Sequence, residues 1–167
     1  MKKGKETDVD VYREVMDFKR KYSKTVAFRL KKHSKIIEQH LNPGEKILYI
    51  FCGQKNYSSF MFINSCVVAL TNKRIIIGQK RLLWGYFFTT ITPDLFNDLK
   101  VRKNLFWSDI EIDTIRENVY LSNISPKGAI DVETNITEFM MKEKKKYHVQ
   151  DVKIRERGNA KKFKDND

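Results

Sequence analysis

Two strongly apolar runs, Val67–Leu70 and Ile75–Ile77, flank the polar step Thr71-Asn72-Lys73-Arg74 near the middle of the chain. β-Branched runs separated by so short a step predict an antiparallel hairpin with both arms in a sheet core. The step places Lys73 and Arg74 on the rim of that sheet. Strand-like runs recur on both sides. Lys46–Gly53 reads as a first strand, Ile63–Leu70 and Arg74–Gln79 as the hairpin arms, and Trp84–Thr92 as a fourth strand. A fifth runs through Leu99 and Val101 to the turn at Arg102-Lys103-Asn104. Phe106–Thr114 alternates, with Ile110 and Ile112 on one face and Asp109, Glu111 and Asp113 on the other, as in a half-exposed strand. Glu117–Leu121 makes a short last strand, and Tyr57–Phe62 is either a loop or an aromatic lip.

The period changes at the two ends. Val11, Val15, Phe18 and Tyr22 recur at helical spacing, and Val26, Leu30, Ile37 and Leu41 continue the stripe. Asp8 or Asp10 is placed to cap this helix and Asn42-Pro43-Gly44 to stop it. A break near Ser23-Lys24-Thr25 would divide it in two. At the other end Ser125 caps a helix with Pro126 in its first turn, and Ala129, Val132, Ile136, Phe139 and Met140 form its buried face. From Lys142 the chain either extends this helix or forms a small extra element, with a disordered tail expected from Gly158. The fold class is therefore mainly β with flanking helices. Seven or so antiparallel strands form a partly open barrel, capped by the C-terminal helix and preceded by an N-terminal one.

Three phrases sharpen that picture. They are the turn Pro43-Gly44-Glu45 before the first strand, the hairpin Leu70-Thr71-Asn72-Lys73-Arg74, and Ile91-Thr92-Pro93-Asp94-Leu95 ahead of the later strands. In this order they resemble the bacterial pleckstrin-homology-like domains, in particular the YokE-like group, over about residues 38–141. The resemblance implies a seven-stranded orthogonal sandwich, or partly open barrel, closed by a C-terminal helix. It also implies an interaction or oligomerisation module, without implying a lipid. On this division residues 1–9 are a disordered basic N-terminus, 10–41 a helical extension, 42–146 the PH-like domain and 147–167 a basic C-terminal tail. The aromatic Tyr57–Phe62 segment and the two basic flanks depart from the family pattern.

Charge matters through its distribution. The net charge is +12, but residues 47–141 hold 10 Lys/Arg against 9 Asp/Glu, so the excess sits on the ends. Basic arms follow, more than one basic face. Cys52 and Cys66 lie in apolar runs and read as buried free thiols in a reducing compartment, with a disulfide across neighbouring strands as the alternative. The basic start has no apolar segment behind it, and no run approaches the ~18 apolar residues of a membrane span. A cytoplasmic protein is expected, with peripheral attachment to the inner face of the membrane as a variant.

No catalytic constellation is evident. His33 and His40 share a helix face without a third ligand, Asp109, Glu111 and Asp113 fit a wet strand face, and no phosphate loop or nucleophile elbow occurs. A non-enzymatic binding or assembly module is expected, with no cofactor, no metal and no small-molecule substrate. Its leading form is protein–protein interaction or self-association, a dimer first, with Val26, Leu30, Ile37 and Leu41 as interface. Peripheral binding to anionic membrane surfaces comes second, and non-specific nucleic-acid binding through the basic termini third. The candidate anion contacts are Lys73, Arg74, Lys80, Arg81, Lys100, Arg102 and Lys103. The last two groups adjoin Trp84 with Tyr86 and Phe106 with Trp107. Membrane binding calls for exposed loop aromatics beside basic pairs. Assembly calls for the N-terminal stripe to be buried between chains. Base stacking calls for exposed rings on a sheet face.

Overall fold

The middle of the sheet is covered on both sides, and this explains why its strands are apolar without alternation. A computed structural model of the protein describes residues 10–56 and 64–164. In chain order the elements are α1 (Val11–Lys21), α2 (Leu30–His40), β1 (Ile47–Lys55), β2 (Ser65–Thr71), β3 (Ile75–Lys80), β4 (Tyr86–Ile91), β5 (Phe96–Lys103), β6 (Ser108–Thr114), β7 (Asn118–Ile124) and α3 (Pro126–Lys164). The strands form one antiparallel sheet in the order β4-β3-β2-β1-β7-β6-β5. It does not close, so β4 and β5 are its edges. β1 and β7 pair at Gln54–Ser122 and Lys55–Leu121, a short seam between a four-stranded and a three-stranded part. The expected hairpin is in place, with Leu70 opposite Ile75 and Val67 opposite Gly78.

All seven residues of β2 are buried. One face belongs to the interior, where Gly53 lies against Ile124. Ala129, Val132, Ile136 and Met140 of α3 are fully buried, as their spacing predicts, and Phe139 packs beside them. The other face carries the row Cys52, Val67, Gly78. Here α2 lies on the sheet, and a Cβ on Gly78 would stand 3.0 Å from Ile37 Cδ1 and 3.2 Å from the His33 carbonyl oxygen. Glycine is what lets the helix come this close. Buried His33 completes the contact, its Nδ1 accepting the Lys80 amide at 2.8 Å. Cys52 and Cys66 fall on opposite faces of β1 and β2, so both remain free and no disulfide joins them. Burial pushes each thiol up to about 12.

The N-terminal region is two helices, divided where the sequence allowed a break. Asp10 caps α1 by accepting the Arg13 amide at 3.0 Å. The linker from Tyr22 to Arg29 is tied to the sheet by Val26 N–H to the Asn123 carbonyl, Phe28 N–H to Ser65 Oγ and Ser125 N–H to Thr25 Oγ1. A second tie is Asp131 of α3, whose Oδ2 accepts Tyr22 Oη of the linker at 2.7 Å and Tyr49 Oη of β1 at 2.9 Å. Leu30 and Ile37 are buried in the chain's own core, and Val26 and Leu41 are half-buried. The stripe expected to bind a partner thus lies mainly on its own sheet.

Two further expectations change. The backbone beyond Met140 takes the helical one of its two expected alternatives, and the helix then runs on to Lys164 through residues expected to be tail from 147 or 158. Lys, Glu and Arg are good helix formers, so a run without an apolar stripe still propagates the helix it follows. Glu111, expected on a wet face, is buried and ion-paired to Arg102. Residues 1–9, Tyr57–Phe62 and the last three residues lie outside the described residues.

Two measurements probe the α2 contact. Gly78→Ala is expected to lower the unfolding free energy in urea by about 1–3 kcal/mol, because backbone as well as side chain must yield. Burial and the nearby Arg29 charge hold His33 down at about 4, against 6.5 for a free histidine. The unfolded chain therefore takes up the proton first as pH falls. The stability tied to the neutral ring is complete above 6.5 and is lost between 6.5 and 4, on the order of 3 kcal/mol in all. Urea midpoints across that range should fall for the natural protein, and less steeply for His33→Asn.

Candidate functional site

The seven candidate basic residues fall into three environments. Arg74 is the most enclosed. Its Nε and Nη2 donate to the two carboxylate oxygens of Glu45, each at 3.0 Å, and Nη2 also reaches the His40 carbonyl at 2.9 Å. Glu45 accepts Thr71 Oγ1 at 2.7 Å and the Asn42 amide at 2.9 Å as well. Burial works to raise this carboxyl, and the bonds from Arg74, Asn42 and Thr71 outweigh it, holding it below the ordinary range. Thr71 Oγ1 also accepts the amides of Lys73 and Arg74 and shapes the turn. The Pro-Gly-Glu turn and the hairpin phrase are therefore two halves of one clamp. Lys73 is exposed beside it, and Arg74 is committed to it.

Lys100 and Arg102 stand opposite Glu111 and Asp109 across the β5–β6 ladder, and Asp98 stands opposite Asp113. The Arg102 guanidinium lies 3.0 Å from Glu111 Oε2, which shares its carboxylate with Asn118. Two cations thus face four carboxylates on this surface, which is the wrong balance for an anion site. Lys103 forms the last pair of the ladder, opposite Ser108. Beyond it Leu105 and Phe106 are exposed, while Trp107 donates its indole N–H to the Lys24 carbonyl at 2.8 Å.

Lys80 and Arg81 have a different setting. They lead into the tight β3–β4 hairpin, closed by Arg81 N–H to the Gly85 carbonyl at 3.2 Å, with Gly85 at φ +73°. Its tip is apolar and outside the fold, with Leu82, Leu83 and Trp84 at 61%, 77% and 84% exposure. The Arg81 guanidinium lies 5.1 Å from the centre of the Phe87 ring. Arg29 of the linker donates to the Arg81 carbonyl at 3.1 Å and joins α2 to this corner. A cleft of about 310 Å³ is shared by Arg29, Lys32 and Lys35 on one side and by Lys80, Arg81 and Leu83 on the other. A second, of about 630 Å³, lies between Lys55, Asn56 and Gln79 and the same hairpin. Neither lining contains an Asp or a Glu among the described residues.

Sequence reasoning found Lys80, Arg81 and Trp84 but not their union with Arg29, Lys32 and Lys35. A signal was present. Ile75-Ile76-Ile77 does not alternate, so β3 needed a cover on its second face, and the basic N-terminal helix is the amphipathic unit that can supply it. The two helical histidines are both engaged, His33 as above and His40 against Ile36, Tyr86 and Phe88. Among the described residues no group of three or more His, Cys, Asp or Glu is placed to hold a metal ion.

The clamp predicts a clean separation between neighbours. Arg74→Ala should cost about 3–5 kcal/mol in urea unfolding, since it strands a buried carboxylate. Lys73→Ala should stay within ~0.5 kcal/mol of the natural protein. Equal effects of the two would contradict the assignment.

Comparison with known proteins places this geometry. None of the curated proteins matches the chain. Among solved structures, the chain is similar to a pleckstrin homology domain from Shewanella amazonensis SB2B. The identity is 10% and the TM-score 0.45, over 82% of this chain and 93% of that one. The family profile described as Bacterial PH domain matches residues 41–138, which span the clamp, all seven strands and the first part of α3. With more than half of its length matched, the chain belongs to the bacterial PH domain family.

Proposed function

We propose that this PH domain is a non-catalytic binding module that docks on anionic membrane surfaces, with the β3–β4 hairpin as the inserting element. One observation carries the reading. Leu82, Leu83 and Trp84 project from a tight hairpin that is flanked by Arg29, Lys32, Lys35, Lys80 and Arg81 without a described carboxylate in the clefts between them. Leucine and tryptophan at a protruding tip gain by leaving water for the headgroup boundary, and nearby cations each contribute about 1 kcal/mol toward an anionic surface. A folded hairpin presents this tip without an ordering cost at docking. No described helix is long and apolar enough to cross a membrane, so this attachment would be peripheral. The self-association reading has less support, because Leu30 and Ile37 are already buried within the chain.

Vesicle flotation at physiological salt tests it. The protein should float with vesicles containing phosphatidylglycerol and not with phosphatidylcholine alone. Leu83→Ala/Trp84→Ala and Lys32→Glu/Lys35→Glu should each remove most of the floating fraction, while Lys100→Glu/Lys103→Glu should not. Failure of the natural protein to float, or undiminished flotation of the Leu83/Trp84 variant, rules the reading out.

A further inference from the structure

A groove of about 520 Å³ lies between α1 and α2, outside the family-matched residues. Its floor is apolar, from Tyr12, Met16, Ala27 and Leu30. Its rim is basic, from Lys19, Arg29, Lys31, Lys32 and Lys35, with no Asp or Glu among the described lining residues. We propose that this groove is a docking site for an acidic amphipathic segment of a protein partner, taken up as a short helix.

Shape, charge and bonding each bear on the occupant. The groove is concave, so a flat bilayer would not reach its floor, whereas one apolar helix face can lie in it. Met16 gives that floor an adaptable surface. The rim asks for carboxylates on either side of the apolar contact. The first turn of α2 holds Lys31 and Lys32 and no acidic residue, against the preference of a helix N-terminus for negative charge. Arg29, just before that turn, has a left-handed backbone at φ 56°. Its Nη2 is bonded to Arg81, while its Nη1 is enclosed and has no hydrogen-bond partner. A carboxylate on the rim beside Lys31 and Lys32 would offset the basic first turn. A second copy of the chain suits the groove less well. The acidic ladder of β5 and β6 lies on a strand face and offers no apolar stripe beside it.

The test uses the full chain and a fluorescein-labelled synthetic peptide of about three helical turns. The peptide carries leucines at i, i+3, i+4 and i+7 and glutamates elsewhere, and a shuffled peptide of equal composition lacks the stripe. Fluorescence anisotropy at physiological salt should show the striped peptide bound and the shuffled one bound at least about tenfold more weakly. Met16→Glu and Arg29→Ala should each weaken the striped peptide by about tenfold or more. Because Met16 is half-buried and Arg29 has a special backbone, the exposed Lys31→Glu decides the matter, and it should produce a similar loss. Leu83→Ala/Trp84→Ala, which is directed at vesicles, should leave the peptide unaffected. Equal binding of the shuffled peptide, an unchanged affinity in Lys31→Glu, or loss of the peptide in the Leu83/Trp84 variant would each overturn the proposal, and none of them bears on vesicle flotation.

Discussion

The contact between α2 and β3 across Gly78 sets the character of the rest of the molecule. Without it the face carrying Cys52, Val67 and Gly78 would be an exposed apolar surface on the middle of the sheet. With it, β1, β2 and β3 lie between two layers and need apolar residues at successive positions. The same contact draws the linker across to the sheet, where hydrogen bonds to Asn123, Ser65 and Ser125 fix it, and delivers Arg29 to the base of the β3–β4 hairpin. The basic corner is thus a by-product of core packing. The helix that seals the sheet presents its polar side beside the hairpin tip.

The features that carry the family resemblance turn out to be structural. Glu45, Thr71 and Arg74 close on one another across 29 residues of sequence and commit Nε and Nη2 of Arg74 to protein acceptors. Lys100 and Arg102 are likewise matched by the strand beside them. Of the seven cations singled out in the sequence, Lys80 and Arg81 are the two that stand at an apolar tip beside further cations and without a described carboxylate. Counting basic residues cannot make this distinction. Cross-strand register can, because it decides which charges meet an opposite charge.

The strands and the buried face of α3 were legible because their period is local. Val67 to Ile77 states its own pairing, and Ala129, Val132 and Ile136 mark one helix face. The stripe of α2 was legible as a stripe, but its period says only that something covers it. Nothing local separates its own sheet from a second copy. Gly78 is the residue that decides, and its meaning depends on a helix more than 30 residues away in sequence. The Asp131 node was hidden for the same reason, since Tyr22, Tyr49 and Asp131 have no shared spacing. The run of α3 on past residue 147 was hidden for the opposite reason. Its composition favours helix while its lack of a stripe imitates a tail.

The two cysteines give this two-layered sheet an internal pair of reporters. Each thiol is buried and held protonated, so an alkylating reagent has no target until the structure opens. They face opposite ways, Cys52 toward α2 and Cys66 toward the interior beside Gly53. Detachment of α2 would expose the first thiol, and opening of the interior, where Phe18 of α1 packs on Phe51 and Gly128, would expose the second. The relative labelling rates of the two positions therefore separate loosening of the outer layer from loss of the domain, with no probe added to the chain.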